Sequence, residues 1–266
     1  MKVVIGTVLG VVLFQTSALA DTGFLDRTVT LGNVSYRYQV YVPADHSRAT
    51  SWPVIVDLHG NGAQGTDALL PTARGLADQI RQNRSRFPAV VVFPQAAVGK
   101  RWFDAEMEDL VIAELDRAIS EFGGDPARVY LTGFSMGGTG VYRIAYRWPT
   151  RFAALVAVAG RVDSTGAASY SDQDKEADRQ ANPFVRAADP FAALAAKIAH
   201  VPIRLFHGDA DETVPVEQSR RLAAALKASG AKSLRYDEYA GADHVGAAVK
   251  AYGDEDVFTW LFAQRR

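Results

Sequence analysis

Three stretches of this chain are apolar almost without interruption: Pro53 to Leu58, Ala89 to Phe93 and Phe152 to Ala159. Each is too short for a helix and too continuous for a strand with one wet face, so each reads as a strand buried on both sides. Arg128 to Thr132, Val201 to Phe206 and Ser233 to Tyr239 read as further strands. Between them lie helical patterns. Glu106 to Phe122 carries Leu110, Ala113, Leu115 and Ile119 and is stopped by Gly123-Gly124. Gly137 to Trp148, Val216 to Ala228 and a last helix running to Phe262 follow, with Asp254-Glu255-Asp256 as that helix's cap and first turn. Strands alternating with helices predict an α/β fold with a mostly parallel central sheet flanked by helices. Functional sites in such sheets lie beyond the C-terminal strand ends. Upstream, Thr28 to Val42 alternates at period two around Gly32-Asn33, which predicts an N-terminal antiparallel hairpin.

No internal repeat and no Pro- or Gly-rich linker divides the chain, so residues 21–266 read as a single catalytic domain. Residues 160–199 break the strand–helix rhythm. The charged run Ser171 to Gln180 makes them a surface excursion or a small lid.

The chain has no cysteine, which rules out disulfides, thiolate metal sites and a cysteine nucleophile. Metal chemistry has no other support, because no H-x-x-x-H pair is present. The net charge of −1 gives no footprint for nucleic acid. At the N-terminus, Met1-Lys2 precedes an apolar run from Val3 to Phe14, and Ala18-Leu19-Ala20 precedes Asp21. A basic start, a short apolar core and a small-x-small site make residues 1–20 a signal peptide. Cleavage after Ala20 removes Lys2 and takes the net charge to −2. The expected location is secreted or periplasmic, with no stable membrane association after cleavage.

Gly133-Phe134-Ser135-Met136-Gly137 is a G-x-S-x-G string between a predicted strand and a predicted helix. That is the layout of a nucleophile elbow, in which the serine sits on a sharp turn with Oγ exposed. A serine hydroxyl needs a base. In an elbow hydrolase the base follows the acid, and the acid follows the serine. Of His46, His59, His200, His207 and His244, only His244 satisfies that order, in Gly241-Ala242-Asp243-His244 after the last strand. The acid should come from His207-Gly208-Asp209-Ala210-Asp211-Glu212-Thr213-Val214-Pro215, where Asp209 and Asp211 are both placed to serve. Two N–H donors are needed for the oxyanion. Met136 supplies one, and Asn61 in Leu58-His59-Gly60-Asn61-Gly62 supplies the other. His59 precedes the acid and reads as a brace for that loop. Trp102, Phe103, Phe134 and Met136 either line a substrate pocket or pack in the core; Trp102 and Phe134 are the substrate-binding candidates.

Together these residues resemble the α/β-hydrolase superfamily. Within it, the chain is similar to a secreted esterase or predicted-peptidase group related to the phospholipase/carboxylesterase, dienelactone hydrolase and polyhydroxybutyrate-depolymerase-like families. The likeness runs from about Tyr36 to Trp260 and is densest at Asp125 to Gly138. Tyr41-Val42-Pro43, Phe93-Pro94-Gln95 and Pro149 to Ala154 add to it. The resemblance implies an α/β-hydrolase fold, a Ser135–Asp211–His244 triad, which singles out Asp211 over Asp209, and ester hydrolysis without a cofactor. Ala96 stands where similar proteins often have cysteine, and the segment from Arg161 onward is unusually polar.

The expected function is a secreted serine carboxylesterase acting on small esters or acylated polymer fragments. Competing readings are a serine peptidase of the prolyl-oligopeptidase type, a feruloyl, acetyl-xylan or polyester-cleaving enzyme, and a non-catalytic binding protein on the same fold. Mature protein from an exporting host should begin at Asp21; N-terminal sequencing that finds Met1 would overturn the export reading.

Overall fold

The computed structural model describes residues 21–266. The signal peptide expected at residues 1–20 lies outside the described residues. Gly23–Leu31 (β1) and Val34–Val42 (β2) form the N-terminal hairpin, turning at Gly32 with a φ of +61°. β1 begins earlier than the alternation suggested. Its Phe24 ring packs 5.3 Å from Tyr41 and 5.9 Å from Phe93, which gives the extra residues apolar partners. The remaining strands are Trp52–Leu58 (β3), Val90–Phe93 (β4), Gly124–Phe134 (β5), Ala154–Val158 (β6), Ile203–Gly208 (β7) and Leu234–Tyr239 (β8). They join one sheet in the order β1-β2-β4-β3-β5-β6-β7-β8. β2 meets β4 antiparallel, and every pairing from β4 to β8 is parallel. This is the mostly parallel sheet with an antiparallel hairpin that the sequence predicts.

The helices are Leu76–Gln82 (α1), Ala105–Phe122 (α2), Met136–Arg147 (α3), Asp172–Ala181 (α4), Pro190–Ile198 (α5), Glu217–Ala228 (α6), His244–Gly253 (α7) and Glu255–Phe262 (α8). Side chains alternate along the central strands between two cores. Val54, Val56, Val129, Leu131, Leu155 and Leu205 face the core shared with α2, α3, α5 and α6. Ile55, Tyr130, Val156, Val158 and Phe206 face the core shared with α1, α7 and α8. Burial on both faces is the reason these strands are apolar in sequence. No helix among the described residues is long and apolar enough to cross a membrane.

Other elements also differ from the sequence expectation. The last helix is two helices, separated where Asp254 caps α8 by accepting from the Asp256 N–H. The 160–199 segment contains α4, a short 3₁₀ turn at Pro183–Arg186 and α5. Its charged run forms a capped helix, with Ser171 and Asp174 bonded reciprocally. One residue of that run, Asp178, is fully buried and grips Arg143 of α3 through bonds of 3.0 and 2.6 Å. Ser164 and Asn182 donate to the same carboxylate. The segment is thereby fastened to the helix that follows Ser135.

Asp57, near the end of β3, is also buried, with Tyr252 donating to it at 3.2 Å. Burial pushes its carboxyl up to about 7, against the Tyr252 hydrogen bond. In the unfolded chain such a carboxyl titrates near ~3.9. The folded state therefore holds the proton longer, and stability falls as pH rises from about 4 through about 7. Asp57→Asn removes that loss. The melting temperature of the variant relative to the parent should be higher at pH 8 than at pH 5; thermal denaturation at both values checks this.

Candidate active site

β5 delivers Ser135 into a tight turn with φ 58° and ψ −118°, a conformation costly for a residue with a side chain. The turn is possible because neighbouring backbones nearly touch. A Cβ at Gly137 would strike the Leu58 carbonyl, and one at Gly133 would lie 2.5 Å from the Gly137 carbonyl. Val158 of β6 accepts the Ser135 N–H at 2.9 Å.

The structure brings Ser135, His244 and Asp211 together from three separate loops. Ser135 Oγ lies 2.8 Å from His244 Nε2, and His244 Nδ1 lies 2.6 Å from Asp211 Oδ2. An ionised carboxylate only accepts, so Nδ1 carries the proton and Nε2 is free to accept from the serine hydroxyl. His244 is the first residue of α7, and Asp243 caps that helix by accepting from the Gly246 N–H at 2.6 Å. The Phe134 ring packs 4.7 Å from the His244 ring.

Asp211 follows β7 and is held from every side. Its Oδ1 accepts the Thr213 and Val214 N–H groups, both at 2.8 Å. Its Oδ2 is also approached by His207 Nε2 at 3.2 Å. Burial by itself would raise this carboxyl. The hydrogen bonds from His207, His244 and Val214 outweigh it and hold the group well below the usual carboxylate range. His207 is fully buried, with Nε2 on the Val214 carbonyl at 2.9 Å and Nδ1 on Ser219 Oγ at 2.7 Å. Chain order alone excluded His207 as the base and left its work unseen; its position four residues before Asp211 was the available signal.

Asp209, the other acid in this loop, is engaged elsewhere. It accepts the Gly241 N–H at 2.6 Å and so ties the Asp211 loop to the loop that carries His244. Gly208 makes that junction possible, because a Cβ there would strike the Ala242 carbonyl.

Met136 opens α3, so its N–H lacks an intrahelical acceptor beside Ser135. Asn61 opens a 3₁₀ turn, Asn61–Ala63, just after Gly60. A Cβ on Gly60 would lie 3.6 Å from that of Ser135, which sets this loop alongside the nucleophile. His59 braces the loop. Its Nδ1 bonds the Gly60 carbonyl at 2.7 Å, and its Nε2 accepts the Ala96 N–H at 3.0 Å. Burial lowers its pKa to about 4, with the Gly60 bond opposing, so the ring is neutral.

Trp102 does not line the site as a substrate-binding residue. It is 0% exposed, donates Nε1–H to the His59 carbonyl at 2.9 Å, and packs edge-on to the His59 ring. It supports the Asn61 loop from within the core. Phe103 is equally buried and Met136 nearly so. Of the four expected lining residues, Phe134 alone is partly exposed.

An imidazole that accepts from a serine hydroxyl and donates to an ionised carboxylate is arranged for proton transfer during nucleophilic attack. Gly208→Ala should displace the His244 loop. A shift of about 1 Å at such a site lowers turnover roughly 10²-fold. Steady-state kinetics on the purified variant, with circular dichroism to confirm folding, will show whether kcat falls.

A secreted protein of Arthroderma benhamiae is 26% identical over 226 residues, covering 80% of this chain and 24% of its own length. The isoprenylcysteine alpha-carbonyl methylesterase of Arabidopsis thaliana is 29% identical over 167 residues, covering 53% of this chain and 38% of its own. The chain thus spans well under half of either curated relative. The crystal structure of a thermostable esterase superposes with a TM-score of 0.72 at 28% identity, over 91% of this chain and 63% of that one. The model of the prolyl oligopeptidase family matches residues 95–265, which include Ser135, Asp211 and His244. The chain belongs to the prolyl oligopeptidase family, serine hydrolases of the α/β-hydrolase superfamily.

Proposed function

We propose that this protein is a secreted serine carboxylesterase, with Ser135 as nucleophile, His244 as general base and acid, and Asp211 as the group that orients the imidazole. The observation that carries the proposal is the unbroken hydrogen-bond chain from Ser135 Oγ through His244 to Asp211. Ser135 Oγ attacks the ester carbonyl as its proton passes to His244 Nε2. The oxyanion that forms meets the N–H groups of Met136 and Asn61. The tetrahedral species collapses, His244 protonates the departing alcohol, and an acyl-enzyme remains. Water then gives its proton to His244, attacks the acyl carbon and releases the acid with Ser135 restored. The four hydrogen bonds around Asp211 keep it ionised, so it stabilises the imidazolium at each transfer.

Esters are favoured over peptides because two of the similar proteins above bear esterase names. Export is supported by the signal-peptide pattern and by the fungal relative named as secreted. The family match keeps a serine peptidase as the second reading. Ser135→Ala should reduce hydrolysis of a short-chain p-nitrophenyl ester by about 10³-fold or more while leaving the melting curve unchanged. Parallel assays on aminoacyl-naphthylamides separate the readings: amide cleavage exceeding ester cleavage would replace esterase with peptidase.

A further inference from the structure

Among the described residues three arginines are buried: Arg143, Arg161 and Arg204. Two of them hold carboxylates. Arg143 grips Asp178, and Arg204 meets Asp237 and Asp256 at 2.9 and 3.1 Å. Arg161 is only 7% exposed, yet among the described residues no carboxylate pairs with it. Its guanidinium makes one hydrogen bond, from Nη2 to the Thr213 carbonyl at 2.8 Å. Nε and Nη1 meet no acceptor among the described residues, and neither is sealed from solvent. Burying a guanidinium without a counter-charge is costly. The charges of Asp211 and Asp163 act on it from nearby, but neither carboxylate pairs with it among the described residues. Both oxygens of Asp211 are taken by N–H donors, and Asp163 Oδ1 accepts from Thr165.

The main chain fixes Arg161 close to the nucleophile. Three residues beyond β6, its N–H donates to Thr139 Oγ1 at 2.9 Å, and the Thr139 N–H donates to the Ser135 carbonyl at 3.0 Å. The Arg161 carbonyl accepts from Arg143 Nη1 at 2.9 Å. Ala159, with φ +48°, and Gly160, stacked on Gly138, turn the chain into this position. From there the side chain reaches the Thr213 carbonyl, so Arg161 links the first turn of α3 to the loop that carries Asp211. Tyr170, later in the same segment, packs edge-on to Phe103 at 5.3 Å.

We infer that Arg161 forms a carboxylate-recognition subsite near Ser135, and that preferred substrates are esters whose acyl group ends in a carboxylate. This rests on the esterase reading above. The planar guanidinium fork matches a carboxylate, and in a partly desolvated site such a charge-assisted contact is strong.

The test compares p-nitrophenyl monoesters of adipic and suberic acid with the same esters methyl-capped at the distal carboxyl. The parent enzyme should favour one of the free-acid esters by roughly 10- to 100-fold in kcat/KM. Arg161→Gln should lose that preference through a raised KM while changing the capped esters less than about threefold, and Arg161→Lys should retain part of it. No preference in the parent enzyme, or equal loss on both ester types in Arg161→Gln, would overturn the inference. If Arg161→Gln does not fold, the parent and Arg161→Lys still decide. Thermal shifts in the Ser135→Ala background separate this subsite from the esterase reading. Adipate should raise the melting temperature where dimethyl adipate does not, and the shift should vanish when Arg161→Gln is added. That pattern without ester turnover would overturn the esterase reading and keep the anion site; turnover with no adipate shift would do the reverse.

Discussion

The close approach of backbones at the C-terminal ends of the parallel strands is the constraint on which the rest of this structure depends. Gly137 lies against Leu58, Gly138 against Val158 and Gly160, and Gly208 against Ala242. At each contact a side chain would occupy the space of another segment's main chain. These contacts bring the loops after β3, β5, β6, β7 and β8 to one place, where Asn61, Ser135, Arg161, Asp211 and His244 are found. The strained backbone of Ser135 is held by the same contacts, and by the Val158 carbonyl that accepts its N–H.

Charge is managed by saturation. Asp211 is buried but surrounded by N–H donors, so it remains an anion beside His244. Asp178 is buried and fully bonded, and through Arg143 it holds the main chain of Arg161 and Val162 in place. The polar 160–199 segment is thus fastened to the helix that follows Ser135, although its composition is that of a solvated surface. Arg161 is buried with no carboxylate paired to it among the described residues, and its guanidinium bonds the Thr213 carbonyl in the Asp211 loop.

Much of this was legible in the sequence. Apolar runs buried on both faces announce parallel strands, because a strand covered by helices on both sides cannot carry alternating polar residues. Ser135 stood out because the elbow needs glycines at fixed offsets, and chain order then left His244 alone among five histidines. Other features were hidden. The run Ser171 to Gln180 looked solvated because nine of its ten residues escape full burial; only Asp178 turns inward. Trp102 looked like a pocket residue because an aromatic side chain carries no mark of which way it faces. α7 was missed because the break at Asp254 and the cap at Asp243 lie too close together for periodicity to separate two short helices.

The sequence by itself determined the order of strands and helices, the elbow and the base. These depend on local spacing and on chain order, which a string of residues records directly. Only the tertiary structure decided between Asp209 and Asp211 on geometric grounds. The two are separated by one residue and differ in what they meet across space: Asp209 bonds the Gly241 amide, and Asp211 the His244 ring. The same holds for His207, which bonds Asp211 from behind, and for Arg161, whose lack of a partner is visible only once every neighbour is in place. Burial and pairing are properties of contacts between distant residues, and no single sequence records them.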